Sequence, residues 1–104
     1  MTELNHPKGV WERRKEVQIV DCREPYEWSA GRIEGALHVP LNAILAGPVD
    51  GLDPKKPVVV VCRSGNRSAQ GRDILLAAGY PSVTSMAGGM NDWTAAGYET
   101  ATGS

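Results

Sequence analysis

Residues 58–80, VVVVCRSGNRSAQGRDILLAAGY, connect an apolar strand to a helix through a loop that begins with a cysteine. Four consecutive valines are typical of a strand buried on both faces of a parallel sheet. Residues 68–79 then show the apolar spacing of a helix, and Gly79 is placed to cap its C-terminal end. Cys62 is therefore expected at the carboxyl end of a strand, the edge where open α/β sheets bind ligands.

The rest of the chain alternates between the same two kinds of element. Further strands are predicted at residues 17–21, 35–40 and 82–86, and further helices at about residues 10–15 and at 23–31, 41–47 and 89–97. Three prolines and an Asp-Gly step exclude regular structure in most of the segment between the third helix and the valine strand. Strands that alternate with helices predict an α/β fold, with a parallel sheet covered by helices on both faces.

Length and charge narrow the classes of function. The chain has 104 residues, 41% of them hydrophobic, a formal net charge of -1 and a pI near 6.1, which indicate one domain without a basic surface field. Nucleic acid and membranes are not expected partners, and no apolar run is long enough for a membrane span. The N-terminal residues lack the pattern of a secretory signal, so a cytoplasmic protein is expected.

The two cysteines, Cys22 and Cys62, are too few for a disulfide scaffold, and in a reducing compartment they are expected to be free. Neither forms a C-x-x-C motif, and the two histidines, His6 and His38, are far apart in the chain. No metal site is therefore expected.

The loop CRSGNRS favours an ionised cysteine. Arg63 and Arg67 supply positive charge, the helix that begins near Ser68 presents its N-terminus, and Gly65 allows backbone amides to converge on one point. The same features attract a small anion. Cys62 is thus the candidate nucleophile, facing an anionic substrate.

Three segments, DCREPYEWSAGRIEGALHVPL, VVVVCRSGNRSAQGRDIL and GGMNDWTAAGY, together resemble the rhodanese (sulfurtransferase) family, in the same order and at compatible spacing. The resemblance covers about residues 17–100, the core of one rhodanese-like domain assigned to residues 1–104. It implies a central parallel sheet of about five strands. It also implies a thiosulfate:cyanide-type sulfurtransferase in which Cys62 carries sulfur as a persulfide.

In this interpretation the active-site loop binds the donor through six residues, Arg63, Ser64, Gly65, Asn66, Arg67 and Ser68. Arg67 is expected either to face the pocket or to brace the loop. The donor is thiosulfate, a glutathione persulfide or a polysulfide, and the acceptor is cyanide, a thiol or a protein. No metal or organic cofactor is required.

Two other functions stay open. A cysteine phosphatase or arsenate reductase would need a loop of five residues between cysteine and arginine, whereas four separate Cys62 from Arg67. The other alternative is a non-catalytic interaction or sulfur-relay module of the same fold, and an interaction module would be expected to lose the cysteine. The first alternative is disfavoured by loop length, and the second by the intact loop.

Residues outside the loop are assigned mainly to structure. Cys22 follows its strand as Cys62 follows the valines, and it is either a small packed residue or, less favoured, a thiol that resolves the persulfide. Asp21, Arg23 and Glu24 are expected to pair or to cap a helix. Gly88 and Gly89 form either a plain turn or a close approach of backbone to the Cys62 loop.

Overall fold

The computed structural model describes residues 3–47 and 49–103. Its centre is a parallel sheet with the strand order β2-β1-β3-β4. The strands are β1 (Gln18–Asp21), β2 (Leu37–His38), β3 (Val58–Val61) and β4 (Val83–Ser85). The helices are α1 (Pro7–Glu12), α2 (Pro25–Ala30), α3 (Leu41–Ala46), α4 (Asn66–Ala77) and α5 (Gly89–Ala95).

The valine strand β3 lies in the interior of the sheet, which explains why all four of its residues are buried. It pairs in parallel with β1 on one side and with β4 on the other. The last paired positions of β1 and β3 are Asp21 and Val61. A strand with paired strands at both edges and helices on both faces is shielded from water, so apolar residues occupy every position. The α/β class expected from the sequence is confirmed.

Two apolar clusters lie on opposite faces of the sheet. One packs Ile19 and Val59 against α1 and α5, with Trp93 completely buried at its centre. The other packs Val20 and Val60 against α3 and α4. Successive strand residues alternate between the clusters because their side chains point to opposite faces.

Three expectations about the elements need correction. The sheet built from the described residues has four strands rather than about five, and the further pairing of Arg32 with Ala101 is only an isolated antiparallel bridge. The first helix begins at Pro7 rather than near residue 10, because proline is favoured in the first turn, where its missing amide has no helical partner. Helix α4 begins at Asn66, two residues earlier than predicted, so the active-site loop is shorter.

The helices are short. The longest, α4, has 12 residues, and no helix in the described parts of the chain is long and apolar enough to cross a membrane. Helix α4 packs closely on the sheet at Gly71, where an added Cβ would lie 3.2 Å from Cγ1 of Val60. This close packing holds the N-terminus of α4 beside the end of β3, where the cysteine loop lies.

Candidate active site

Cys62 directly follows β3 and is 1% exposed. The loop turns back over its sulfur at Gly65, whose φ of +112° is a conformation that side-chain-bearing residues rarely adopt. This turn directs the amide of Gly65 at the cysteine, and the N–H donates a hydrogen bond to Sγ at 2.9 Å. The glycine that sequence analysis placed in the loop therefore supplies both the turn and a hydrogen-bond donor.

A second polar contact to the sulfur comes from the first turn of α4. The hydroxyl of Ser68, completely buried, lies 3.3 Å from Sγ of Cys62 and donates to the Gly65 carbonyl oxygen at 3.1 Å. Its Oγ also lies 2.7 Å from Oγ of Ser85, at the end of β4. When Cys62 is ionised its sulfur can only accept, so Ser68 becomes the donor to sulfur and Ser85 can donate to Ser68.

The polar groups around its sulfur lower the pKa of Cys62 to about 4. The largest cause is the neighbouring thiol of Cys22, which donates to the Cys62 sulfur, followed by the hydroxyl of Ser68 and the backbone amides of Ser68 and Gly65. Burial acts in the opposite direction, because it disfavours the charged form. The pKa of Cys22 is raised, mainly by the same hydrogen bond. The pair therefore holds one thiolate, on Cys62, and one thiol, on Cys22.

Arg67 is held by a carboxylate. Its Nη1 and Nη2 donate to Oε1 and Oε2 of Glu27 at 2.8 and 3.0 Å, which ties the first turn of α4 to α2. This hydrogen bond to Glu27 is the main cause of the raised pKa of Arg67, and in return it lowers the pKa of Glu27. Of the two positions expected for Arg67, the structure favours bracing of the loop.

Arg63 is exposed and has no ion pair among residues 3–47 and 49–103. It lines a cavity of about 370 Å³ between α2 and α5, together with Tyr26, Asn91 and Thr94. Ser64 and Asn66 are also exposed, at the outer side of the loop. The uncommitted positive charge of the loop is thus that of Arg63.

Backbone amides at the start of α5 hold the cysteine loop in place. The amides of Met90 and Asn91 donate to the carbonyl oxygens of Cys62 and Arg63 at 2.8 and 3.0 Å. This approach requires glycine at position 89, where φ is +52° and an added Cβ would lie 2.2 Å from the carbonyl oxygen of Cys62. Of the two interpretations of the glycine pair, the structure thus supports the close approach to the loop.

The charged residues around β1 and α2 are structural. The guanidinium of Arg23 donates to both carboxylate oxygens of the buried Asp21, at 2.7 to 3.1 Å, and to the carbonyl oxygen of Gly31. Glu24 caps α2 and forms a capping box with Glu27. The described residues contain no group of three histidine, cysteine, aspartate or glutamate side chains that could hold a metal.

A family model for the rhodanese-like domain matches residues 7–96. A thiosulfate sulfurtransferase GlpE of Pseudomonas putida is 37% identical over 91 residues, which cover 86% of this chain and 82% of the relative. The chain therefore belongs to the rhodanese family, as the resemblance of its three segments predicted. The class of enzyme expected from the sequence, a rhodanese-type sulfurtransferase, is the class that this relative's name gives.

Solved structures have the same architecture. A rhodanese-related protein from Thermoplasma volcanium superimposes with a TM-score of 0.84 at 28% identity, over 92% of this chain and 94% of that protein. A protein of unknown function from Rhodopseudomonas palustris, titled as a possible tyrosine phosphatase, gives a TM-score of 0.80 at 25% identity, over 93% and 83% of the two chains. The fold is thus that of the family, and the phosphatase alternative needs a direct test.

Sequence analysis missed two residues of this site. One is Glu27, whose pairing with Arg67, 40 positions later, has no local signal. Ser85 lies at the carboxyl end of a parallel strand, the edge where ligand sites form, and that position was a usable signal.

Proposed function

We propose that this protein transfers sulfane sulfur from an anionic donor to a thiol or to cyanide through a persulfide on Cys62. The observation that supports this function best is the sulfur of Cys62 at the end of β3, which accepts from the Gly65 amide at 2.9 Å and lies 3.3 Å from the Ser68 hydroxyl. The neighbouring Cys22 thiol, together with Ser68 and Gly65, lowers the pKa of Cys62 to about 4. A thiolate that persists at neutral pH needs no general base to remove its proton. The contacts of Cys62 with other described residues include no histidine.

In the first step the Cys62 thiolate attacks the outer sulfur of thiosulfate. A bond forms between that sulfur and Sγ, the original S–S bond breaks, and sulfite leaves with the bonding electron pair. The product is Cys62–S–S⁻, whose negative charge lies on the terminal sulfur. The inward-directed amides of the loop supply partial positive charge to hold it.

In the second step an acceptor attacks the terminal sulfur, and Cys62 leaves as a thiolate. A thiol acceptor becomes a persulfide and cyanide becomes thiocyanate. A low pKa makes Cys62 a good leaving group, because thiol exchange is faster when the departing thiol is more acidic. The same hydrogen bonds therefore assist both halves of the reaction.

Arg63 is assigned the recognition of the donor, since Arg67 is engaged by Glu27. The adjoining open cleft of about 370 Å³ is larger than a five-atom anion needs, and its lining includes Arg63 and Tyr26 but not Cys62. This supports an organic persulfide or thiol as one of the two substrates, with its charged end on Arg63 and its chain against Tyr26. The proposed reaction requires no metal or organic cofactor. We assign it to one rhodanese-like domain over residues 1–104, and we expect that domain to act in the cytoplasm.

The first test is intact-mass spectrometry of the wild type and Cys62→Ser after brief exposure to thiosulfate, followed by cyanide. The wild type alone gains one sulfur atom and loses it as thiocyanate. If thiosulfate, a glutathione persulfide and a polysulfide all fail to add sulfur, the transfer function is wrong. Hydrolysis of p-nitrophenyl phosphate that depends on Cys62 would then favour the phosphatase, and the absence of both reactions would favour the binding module.

Donor recognition is tested by steady-state kinetics of Arg63→Gln. The KM for thiosulfate rises while the pKa of Cys62 stays near 4, because Arg63 is not among the causes that lower it. Arg72→Gln is the matched control, since Arg72 is a partly exposed arginine of α4 that pairs with Asp73. Equal KM values for the two variants would refute the role of Arg63.

A further inference from the structure

Cys22 is a buried thiol whose sulfur forms no bond in the transfer reaction. It directly follows β1, as Cys62 follows β3, and the last register pair of the two strands is Asp21 with Val61. The pairing continues one step beyond the strands, because the amide of Cys22 donates to the carbonyl oxygen of Val61 at 2.9 Å. Cys22 and Cys62 are therefore neighbouring positions on adjacent parallel strands.

The two side chains also point to the same face. Val20 and Val60, two positions earlier on each strand, are register partners and lie in one apolar cluster with both cysteines. Adjacent strands are about 4.8 Å apart, and a disulfide requires Cα atoms about 4.4 to 6.8 Å apart. Each cysteine also shifts the pKa of the other, lowering that of Cys62 and raising that of Cys22, which agrees with this placement. The strand spacing therefore falls within the Cα range that a disulfide requires.

We propose that Cys22 is a resolving thiol that discharges the Cys62 persulfide as hydrosulfide and leaves a Cys22–Cys62 disulfide. This inference rests on the proposed function, because it starts from the persulfide. The Cys22 sulfur bonds to Sγ of Cys62, the bond from Sγ to the terminal sulfur breaks, and that sulfur leaves with the electron pair. The proton of Cys22 passes to the departing sulfur, so Cys22–SH and Cys62–S–S⁻ give the disulfide and HS⁻.

Formation of the persulfide on Cys62 removes the negative charge that keeps Cys22 protonated and unreactive. While Cys62 is a thiolate, its charge and its hydrogen bond keep the proton on Cys22. In the persulfide the charge moves outward to the terminal sulfur, and Sγ becomes a neutral, electrophilic atom beside Cys22. Cys22 is 1% exposed and lies in the same apolar cluster as Cys62, so Cys62 is the sulfur that it can reach.

The consequence is a second activity, the release of sulfide, which competes with transfer when acceptors are scarce. The disulfide is returned to the dithiol by two equivalents of a low-molecular-weight thiol, which are themselves oxidised to a disulfide. With thiosulfate as donor, the complete cycle yields sulfite and sulfide at the cost of two thiols. Abundant acceptor intercepts the terminal sulfur first and leaves Cys22 reduced.

The test begins with anaerobic exposure of the full chain to thiosulfate, removal of excess donor, and incubation without acceptor. Intact masses are then followed under non-reducing conditions, with sulfide measured in parallel. The wild type first gains one sulfur, then loses it with release of one equivalent of sulfide and ends two hydrogens lighter than the reduced protein. Cys22→Ser and Cys22→Ala lack the thiol that lowers the pKa of Cys62, so each is exposed to thiosulfate until it has gained one sulfur. Both variants then retain that sulfur over the time in which the wild type loses it.

A non-reducing peptide map of the wild type locates the new bond without any variant, and a Cys22–Cys62 link is expected. Persulfide that persists equally in the wild type and both variants would overturn the inference while the transfer function stands. A disulfide between the Cys62 residues of two copies would also overturn it. Failure of the wild type to gain sulfur would instead contradict the proposed function itself.

Discussion

Removal of the Ser68 hydroxyl is expected to raise the pKa of Cys62 without abolishing its ionisation at neutral pH. A hydrogen bond to a charged group contributes about 1.5–3 kcal/mol, and one pKa unit corresponds to about 1.4 kcal/mol. The separation of 3.3 Å from Ser68 Oγ to Sγ is long, which favours the lower end of that range. Ser68→Ala should therefore move the pKa of Cys62 from about 4 to about 5.

The assay is a titration of the thiolate by its ultraviolet absorbance between about pH 3 and pH 9, with circular dichroism at each point to verify folding. Cys22 does not contribute in this window, because its pKa is raised above that of an ordinary thiol. Cys62→Ser supplies the baseline. The acidic limb of sulfur transfer should move by the same amount, while the rate at pH 7 changes little because both proteins are fully ionised there.

Ser85→Ala is the matched control. Its hydroxyl lies 2.7 Å from that of Ser68 but makes no described contact with Cys62, so its removal should shift the pKa less. An unchanged midpoint in Ser68→Ala, or an equal shift in Ser85→Ala, would refute the assignment of Ser68 as the direct donor to sulfur.

Two further substitutions test how the loop is held. Glu27→Gln should lower the free energy of unfolding by about 1 kcal/mol at pH 7, because it breaks the bidentate ion pair with Arg67. Urea denaturation measures this free energy. Since folding lowers the pKa of Glu27, this stabilisation is present above the carboxyl's ordinary pKa and is lost as pH falls through the folded value, so wild type and variant should converge in acid. Asp73→Asn, which removes an exposed ion pair, should have little effect at either pH, and a loss equal to that of Glu27→Gln would contradict the prediction. Gly89→Ala should destabilise the fold by more than about 2 kcal/mol and reduce transfer, because its Cβ meets the loop backbone, whereas Gly97→Ala, with a positive φ but open space, should cost about 1 kcal/mol. Equal melting temperatures for the two glycine variants would show that the close approach at position 89 is not required.

Local sequence was sufficient for the elements with strong apolar or turn signals. The four valines predicted a buried strand because no other common element places every side chain out of water, and the structure has that strand at Val58–Val61. The start of α4 was predicted two residues late, since Asn66 and Arg67 carry no apolar signal and Gly65 provides the turn. The extent of β2, only two residues, depends on its pairing with β1 and not on its own composition.

The loop residues illustrate the same division at the site. Cys62, Gly65 and Ser68 were found from the sequence because they lie within seven positions of one another, where backbone geometry dictates what can meet. The division of work between Arg63 and Arg67 could not be predicted, since it depends on Glu27, which is distant in the chain and reaches Arg67 only after α2 and α4 pack. Ser85 reaches Ser68 by the same kind of long-range contact.

The sequence by itself determined the α/β class, the family and the position of the candidate nucleophile, because each depends on periodicity or on short-range spacing along the chain. Only the tertiary structure decided that Arg67 braces the loop, that Arg63 lines the adjoining cleft, and that Cys22 lies beside Cys62. These three depend on contacts between residues 40 positions apart, brought together by strand register and helix packing. Burial of apolar surface drives that packing. Which polar side chains become neighbours depends on how the helices and strands pack, so the sequence around each residue does not reveal it.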